Sequence, residues 1–318
     1  MTPDVSVIIV SYNTRDLLLQ CLRSLQSARE TVSLEIIVID NASSDGSAEV
    51  CRTIPGVRVI ANSENVGFGR ANNQGIRESQ SELVLLLNSD TVVLPDTVHK
   101  MLHFMRQSKK VGVLGCRIIS PDGRRQPSCF RYPNIATIAV ERLLLYRFWS
   151  TLPQTTLPTS DGLEPTPCDW TIGACMLIRR AALDSVGMFD PDIWLYGEEL
   201  DLCYKIKKLG WSILVDPAAS IVHFGGASWN EAPYSATLLK IAGLLRFCKA
   251  HFSPTQYYAS YALAAVGAAL RALVSATMAT LTPHGRKWHV RELRSNILLL
   301  SRLSRGTVLR QYHRVSPE

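Results

Sequence analysis

The first 230 or so residues predict an α/β fold, a mostly parallel sheet covered by helices on both faces, with a basic helical extension behind it. Three observations carry this. Short runs in the first half are apolar at nearly every position, as in strands buried on both faces. Stretches of helical periodicity alternate with them, which is the signature of a parallel sheet with crossover helices. The charge is also split along the chain. From Pro233 onward twelve Lys/Arg face two acids, Glu292 and Glu318, a balance of +10; the total of +7 therefore leaves residues 1–232 at −3.

VSVIIVSY (5–12) reads as the first strand, and the helix after it spaces Leu18, Cys21, Leu22 and Leu25 on one face. LEIIVIDN (34–41) is the second strand and runs into NASSDGS, a turn and helix-start cluster. VRVIAN (57–62) is the third, followed by a Gly/Asn loop and a helix around RANNQGIRES. ELVLLL (82–87) is the fourth and stops on Asn88-Ser89-Asp90. Residues 120–168 read as an irregular, Pro-rich excursion over the active face, with a short apolar helix at 135–149. TIGACMLIRRAAL returns to strand and helix, GEELDLCYKIKKLG is a helix closed by Gly210, and WSILVDP and SIVHFGGASW supply strand-like segments up to residue 232. The expected division is 1–232 for the α/β domain and 233–318 for the basic, apolar helical region.

A hydrophobic content of 47% with 19% charged residues describes a folded chain rather than a disordered one. The opening MTPDVSVIIVSYN has no basic region or small-residue cleavage site, so no signal peptide is expected. Eight scattered cysteines without a CxxC pair suggest neither a zinc site nor a disulfide framework, and fit a reducing cytoplasm.

In open parallel sheets ligands bind beyond the carboxyl ends of the strands, and Asp40 and Asn88-Ser89-Asp90 both fall there. Asn88 and Asp90 are two apart, so an extended backbone puts both oxygen-bearing side chains on one side. Hard oxygen ligands suit Mg²⁺ or Mn²⁺, which complete their shells with substrate phosphates. The same tripeptide can simply cap a turn. Asp40 can accept a hydrogen bond from a ring N–H of a nucleotide base, or it can cap a helix. Around Gly67, glycines entering a helix let backbone approach a ligand. Glu198, Glu199 and Asp201 open a helix, where acids favour the dipole and Asp201 can pair with Lys205; a carboxylate there can equally act as a general base. His223 is an ordinary loop histidine or a metal ligand at a strand end.

In this order, VSVIIVSYN, IIVIDNASSDGS, NVGFGRANN, LLLNSD, YGEELDLCYK and VHFGGAS resemble family 2 glycosyltransferases over roughly residues 4–230, in the rhamnosyltransferase-like and galactofuranosyltransferase-like branch. The resemblance implies a GT-A fold, with a mostly parallel mixed sheet. It further implies inverting transfer from a nucleotide-diphosphate sugar (dTDP-rhamnose-like or a UDP-sugar) to a glycan or polyprenyl-diphosphate-linked acceptor, in cell-surface polysaccharide synthesis. By position, Asp40 would hold the base, with Ser11, Asn13, Gly67 and Asn88 on the donor side. Asp90 matches the last acid of the Asp-X-Asp metal motif, whose first acid is here Asn88, and His223 matches a metal-holding histidine. Glu199 matches the catalytic base. Trp170, Gly173, Ala174, Glu198 and Asp201 fall on the acceptor side.

The tail adds a membrane expectation. Residues 235–252 are apolar around most of a helix, and residues 255–282 are long enough to span but Ala-rich, with Arg271 inside. An arginine at a bilayer centre costs about 2.5–3.5 kcal/mol, which favours interfacial or re-entrant helices. In 286–305, Val290, Leu293, Ile297 and Leu300 form one stripe, with Lys287, Arg291, Arg294, Arg302 and Arg305 on another face. That pattern suits an anionic membrane surface on the cytoplasmic face of the inner (plasma) membrane, or a bundle with a solvated basic face; no nucleic-acid reader motif accompanies it. Two rivals stand beside the transferase: a dinucleotide-binding oxidoreductase, since Gly67-Phe68-Gly69-Arg70-Ala71-Asn72 nearly matches GxGxxG but lacks its third glycine, and a sugar-nucleotide-binding scaffold without catalysis.

Overall fold

The computed structural model describes residues 2–149, 151–158, 164–225, 236–282 and 285–309. The expected boundary at residue 232 lies outside the described residues. In chain order the first half contains β1 (Val5–Ser11), α1 (Arg15–Ser24), β2 (Leu34–Asp40), α2 (Ser47–Arg52), β3 (Val57–Ala61) and α3 (Phe68–Glu78). Next come β4 (Leu83–Asn88), β5 (Thr91–Val93), α4 (Thr97–Gln107) and β6 (Val111–Ile119). The Pro-rich stretch holds the short strands β7 (Arg125–Gln126) and β8 (Cys129–Phe130), the helix α5 (Ile135–Arg142), and β9 (Thr166–Pro167) and β10 (Trp170–Thr171). Then follow β11 (Cys175–Arg179), α6 (Arg180–Val186), α7 (Glu198–Lys208), β12 (Ser212–His223), α8 (Ala236–His251), α9 (Pro254–Leu281) and α10 (Arg286–Ser304).

The main sheet runs β3-β2-β1-β4-β11-β6-β12-β5, with β7 on β6 and β9 on β12. β3, β2, β1 and β4 are mutually parallel, whereas β11 is antiparallel to both β4 and β6, and β5 is antiparallel to β12. The sheet is therefore mixed, as the family resemblance implied. Because β2 and β3 lie on one side of β1 and β4 on the other, the strand order reverses at β1/β4, the switch point at which such sheets bind ligands.

Alternation explains why the strands are apolar throughout. Val5, Val7 and Ile9 of β1 join Leu83, Leu85 and Leu87 of β4 under Leu18, Leu22, Met101 and Met105 on one face. Ile8, Val84 and Leu86 point the other way, into Ile76, Leu183, Phe189 and Ile206. β1 and β4 are covered twice, so apart from Ser6, whose hydroxyl hydrogen-bonds with Glu35 and Ser81, no polar residue occurs in them until the strand ends. The segments around WSILVDP and SIVHF are one strand: Pro217 sits in a pairing irregularity between Asp216 and Ser220, where a missing N–H is tolerated.

The chain divides into two compact units. The first comprises Met1–Tyr132, Thr156–Trp194 and Glu198–Asn230, and the second Pro133–Thr155, Leu195–Gly197 and Glu231–Glu318. Residues 133–155 thus cluster with the C-terminal helices. Arg271 of α9 accounts for this, since it donates to the carbonyls of Glu141 and Arg142 at the end of α5.

Candidate active site

The site is built entirely from the first unit. At the switch point Ser11 is in register with Asp40, and Val10 with Asn88, so three strands deliver their last residues to one edge. A chain of hydroxyls joins them: Ser11 Oγ lies 3.0 Å from Thr14 Oγ1, which lies 2.8 Å from Ser89 Oγ. Asn13, at φ 51°, accepts from the Ser44 N–H at 2.8 Å, which ties the turn after β1 to the turn after β2. Asp40 is buried; its Oδ2 accepts the Ser43 N–H at 3.0 Å, whereas its Oδ1 has no partner. A buried carboxylate oxygen without a donor is costly, and a ligand N–H is what would relieve it.

Beyond β4, Asp90 Oδ1 lies 3.3 Å from Nε2 of His223, the last residue of β12. Gln126 orients that imidazole. Its Nε2 donates to the His223 carbonyl at 2.8 Å and to Ser120 Oγ at 3.0 Å, so its Oε1 faces His223 Nδ1 at 2.9 Å and must accept from it. With Nδ1 facing Gln126, Nε2 is the ring nitrogen turned toward the Asp90 carboxylate oxygen. Two electron-pair donors at this range need a proton or a cation between them, and cis ligands of an octahedral Mg²⁺ sit roughly 3 Å apart. Asn88 adds an Oδ1 that is buried and without a partner. Among the described residues no group of three or more His, Cys, Asp or Glu side chains forms a cage. A protein-poor, oxygen-rich site of this kind suits Mg²⁺ or Mn²⁺ that takes its remaining ligands from phosphates.

Glu199, in the first turn of α7, is held by the connection between β10 and β11. Its Oε1 accepts the Gly173 N–H at 3.1 Å, and a Cβ on Gly173 would stand only 2.6 Å from that oxygen, so a side chain there would displace the Glu199 carboxylate. The next residue, Ala174, accepts the Asn88 N–H at 3.0 Å, which places Glu199 beside the strand end that carries Asn88 and Asp90. Burial pushes the Glu199 carboxyl above the ordinary carboxylate range, against the lowering effect of N–H donors, including that of Gly173. Glu198 is more deeply enclosed, with an unpartnered Oε2, and burial together with the adjacent Glu199 charge pushes it well upward. With its neighbour protonated, Glu199 can stay ionised as a base without two like charges standing side by side.

Other expected site residues have visible packing roles. A Cβ on Gly67 (φ +87°) would lie 2.5 Å from the Trp194 ring, so its conformation serves that contact. Asp201 pairs with Lys205 at 2.9 Å along α7. Trp170 stacks on Phe130 at 4.3 Å and donates Nε1–H to the Arg131 carbonyl, forming an aromatic platform three residues before Gly173. Gln126 escapes a reading of the sequence because 120–132 looks irregular. Pro121-Asp122-Gly123 is the available signal: a turn, closed by Ser120 and Arg124, that folds β7 back along β6.

The family model described as Glycosyl transferase family 2 matches residues 6–187. The N-acetylglucosaminyl-diphospho-decaprenol L-rhamnosyltransferase of Mycobacterium tuberculosis (strain ATCC 25618 / H37Rv) is 30% identical over 249 residues, 74% of this chain and 80% of that protein. The rhamnosyltransferase WbbL of Escherichia coli (strain K12) is 24% identical over 229 residues, 69% and 83% of the two chains. Among solved structures, the mannosyltransferase PcManGT from Pyrobaculum calidifontis, in complex with GDP-Man and Mn²⁺, superposes with a TM-score of 0.57 at 17% identity, over 96% of this chain and 88% of that one. With this fold, this site and these relatives, the chain is a GT-A glycosyltransferase and belongs to glycosyl transferase family 2.

Proposed function

We propose that this glycosyltransferase moves a sugar, with inversion, from a nucleotide-diphosphate donor to a hydroxyl of a glycan or polyprenyl-diphosphate-linked acceptor, at the cytoplasmic face of the plasma membrane. A dTDP-rhamnose-like or UDP-sugar donor and a role in cell-surface polysaccharide synthesis follow the rhamnosyltransferase relatives. One observation carries the catalytic part: a half-buried carboxylate, Glu199, fixed by the Gly173 N–H beside the strand end that holds Asn88 and Asp90.

In this reading Asp40 Oδ1 receives a base N–H, with Ser11 and Asn13 shaping the same edge. Asp90 and His223 would hold Mg²⁺ or Mn²⁺, which when bound neutralises charge on the departing diphosphate. Glu199 takes the proton from the acceptor hydroxyl as its oxygen bonds to the anomeric carbon from the face opposite the leaving group. The bond from that carbon to the diphosphate oxygen breaks, and the nucleotide diphosphate departs with the bonding pair. The anomeric carbon passes through an oxocarbenium-like state. Glu198, kept protonated, and Trp170 lie on the acceptor side. The positions of the domains, 1–232 for chemistry and 233–318 for attachment, belong to the same proposal.

A screen of dTDP-, UDP- and GDP-sugars with Mg²⁺ or Mn²⁺ tests it. Release of nucleotide diphosphate from one donor, lost in Glu199→Gln, is expected. No release from any activated sugar, with or without a lipid-linked acceptor, would contradict it.

A further inference from the structure

In the second unit α8 buries large apolar residues such as Leu238, Leu245 and Phe247, whereas α9 is built inside out. α9 buries Ser260, Ala264, Gly267, Ala268 and Ser275, all small. Several of its large residues point outward: Tyr258, Val266, Leu273 and Leu281 are 69%, 55%, 67% and 68% exposed, and none of the large ones is fully buried. Helices that face water carry charge on the outer side. Over its 28 residues α9 has one charge, Arg271, and it is turned inward. Its guanidinium donates to the Arg142 carbonyl at 2.6 Å and the Glu141 carbonyl at 2.7 Å. One turn earlier, Gly267 admits α5 so closely that a Cβ would meet the Arg142 oxygen at 2.8 Å.

α10 repeats the inversion with charge added. It buries Ser295, Asn296, Leu299 and Leu303, while of the stripe Val290-Leu293-Ile297-Leu300 Ile297 is 54% exposed and the other three are half-buried. Beside that stripe Arg286, Lys287, Arg294 and Arg305 are exposed, and Trp288 stands out with them. Exposed cations flank a half-exposed apolar band, with an indole at the edge, which is the composition of a helix lying in a lipid headgroup layer.

We infer that the outer faces of α9 and α10 seat the protein on an anionic phospholipid leaflet, with α9 lying along the interface and not crossing the bilayer. α9 is the one described helix long and apolar enough to cross, by length and composition. Crossing would carry Arg271 inward together with the α5 end it holds, including Glu141 and Arg142, which form an ion pair of their own. Lying flat leaves that cluster on the protein side and the large side chains on the lipid side. The inference names the surface on which the proposed lipid-linked acceptor would be met, and rests on that reading for its purpose alone.

Flotation of the full chain with phosphatidylcholine vesicles, with and without phosphatidylglycerol, is the test. The protein should float with the anionic vesicles, and the bound fraction should fall roughly tenfold or more in Leu273→Asp and in the double variant Lys287→Glu/Arg294→Glu. The native cysteines are buried, so Tyr258→Cys and Leu281→Cys can be probed with an impermeant maleimide added outside. Equal labelling of both supports a helix in the interface; labelling of one alone overturns it in favour of a span. Wild-type protein that stays down with both vesicles, flotation unchanged in both variants, or a dimer abolished by Leu273→Asp without flotation would each overturn the inference. Donor hydrolysis is measured in the same samples. Hydrolysis without flotation sinks the surface alone, whereas flotation without hydrolysis of any donor sinks the transferase reading and leaves the surface standing.

Discussion

On α1 the buried residues are Leu18, Cys21 and Leu22, while Arg15, Asp16, Gln20 and Arg23 face outward. On α9 the buried residues are Ser260, Ala264 and Gly267, and it is Val266 and Leu273 that face outward. α1 hides its apolar face, whereas α9 hides small residues and displays large apolar ones. Among the polar residues the first unit also encloses, Ser11, Asp40 and Asp90 gather at the carboxyl ends of β1, β2 and β4. Polar groups inside mark a ligand for the first unit, and apolar groups outside mark a surface for the second. Variants at the polar edge should therefore impair chemistry and leave vesicle flotation untouched.

Glu199→Gln should show the largest effect. The amide can still accept from Gly173 but cannot take a proton, so turnover should fall by ~10²–10⁴ while donor affinity holds. The wild-type pH–rate profile should lose activity on the acid side at a pH above the ordinary carboxylate range, because burial raises this carboxyl, and the variant's residual rate should lack that limb. Asp40→Asn should weaken nucleotide binding by roughly 10–100-fold, measured calorimetrically, with metal affinity unchanged. Gln126→Leu frees the His223 ring and should lower Mn²⁺ affinity by ~10–100-fold, whereas Gln126→Glu still accepts from Nδ1 and should keep most of it. An equal loss in both variants would reduce Gln126 to a structural prop.

The smallest effect belongs to Glu198→Gln. A carboxyl whose pKa is raised on folding holds its proton when the unfolded chain has released it, so stability falls as pH rises from the ordinary carboxylate range toward the folded pKa. The neutral amide removes that dependence. Its melting temperature should exceed wild type near pH 8, and the gap should close toward pH 4. A gap independent of pH would contradict the assignment of Glu198 as a buried, protonated acid.

Much of this architecture is legible in the residues alone. Strands apolar on both faces fall where periodicity places them, because continuous runs such as Leu83–Leu87 have few alternatives to a buried strand. The polar strand ends at Asp40 and Asp90 stand out for the same reason. What the sequence conceals are pairings between distant segments. Nothing local connects Gln126 with His223 or Gly173 with Glu199, and the reversed direction of β11 leaves no mark on CMLIR. Arg271 reads as a cost to insertion until its carbonyl partners on α5 are seen. The stripe on α10 is visible, but its burial is not; α9 presents a face of small residues, against which Ser295 and Asn296 can approach closely.

Whether the groups around Asp40, Asp90 and Glu199 share one ligand is open to direct measurement. Binding of the nucleotide diphosphate should be titrated calorimetrically with and without Mn²⁺, in wild type, Asp90→Asn and Glu199→Gln. A shared cleft predicts that Mn²⁺ tightens the nucleotide and the nucleotide tightens Mn²⁺ by the same factor, with the coupling lost in Asp90→Asn and kept in Glu199→Gln. Nucleotide affinity indifferent to Mn²⁺ and to Asp90→Asn alike would mean that the base pocket and the metal pair serve separate ends.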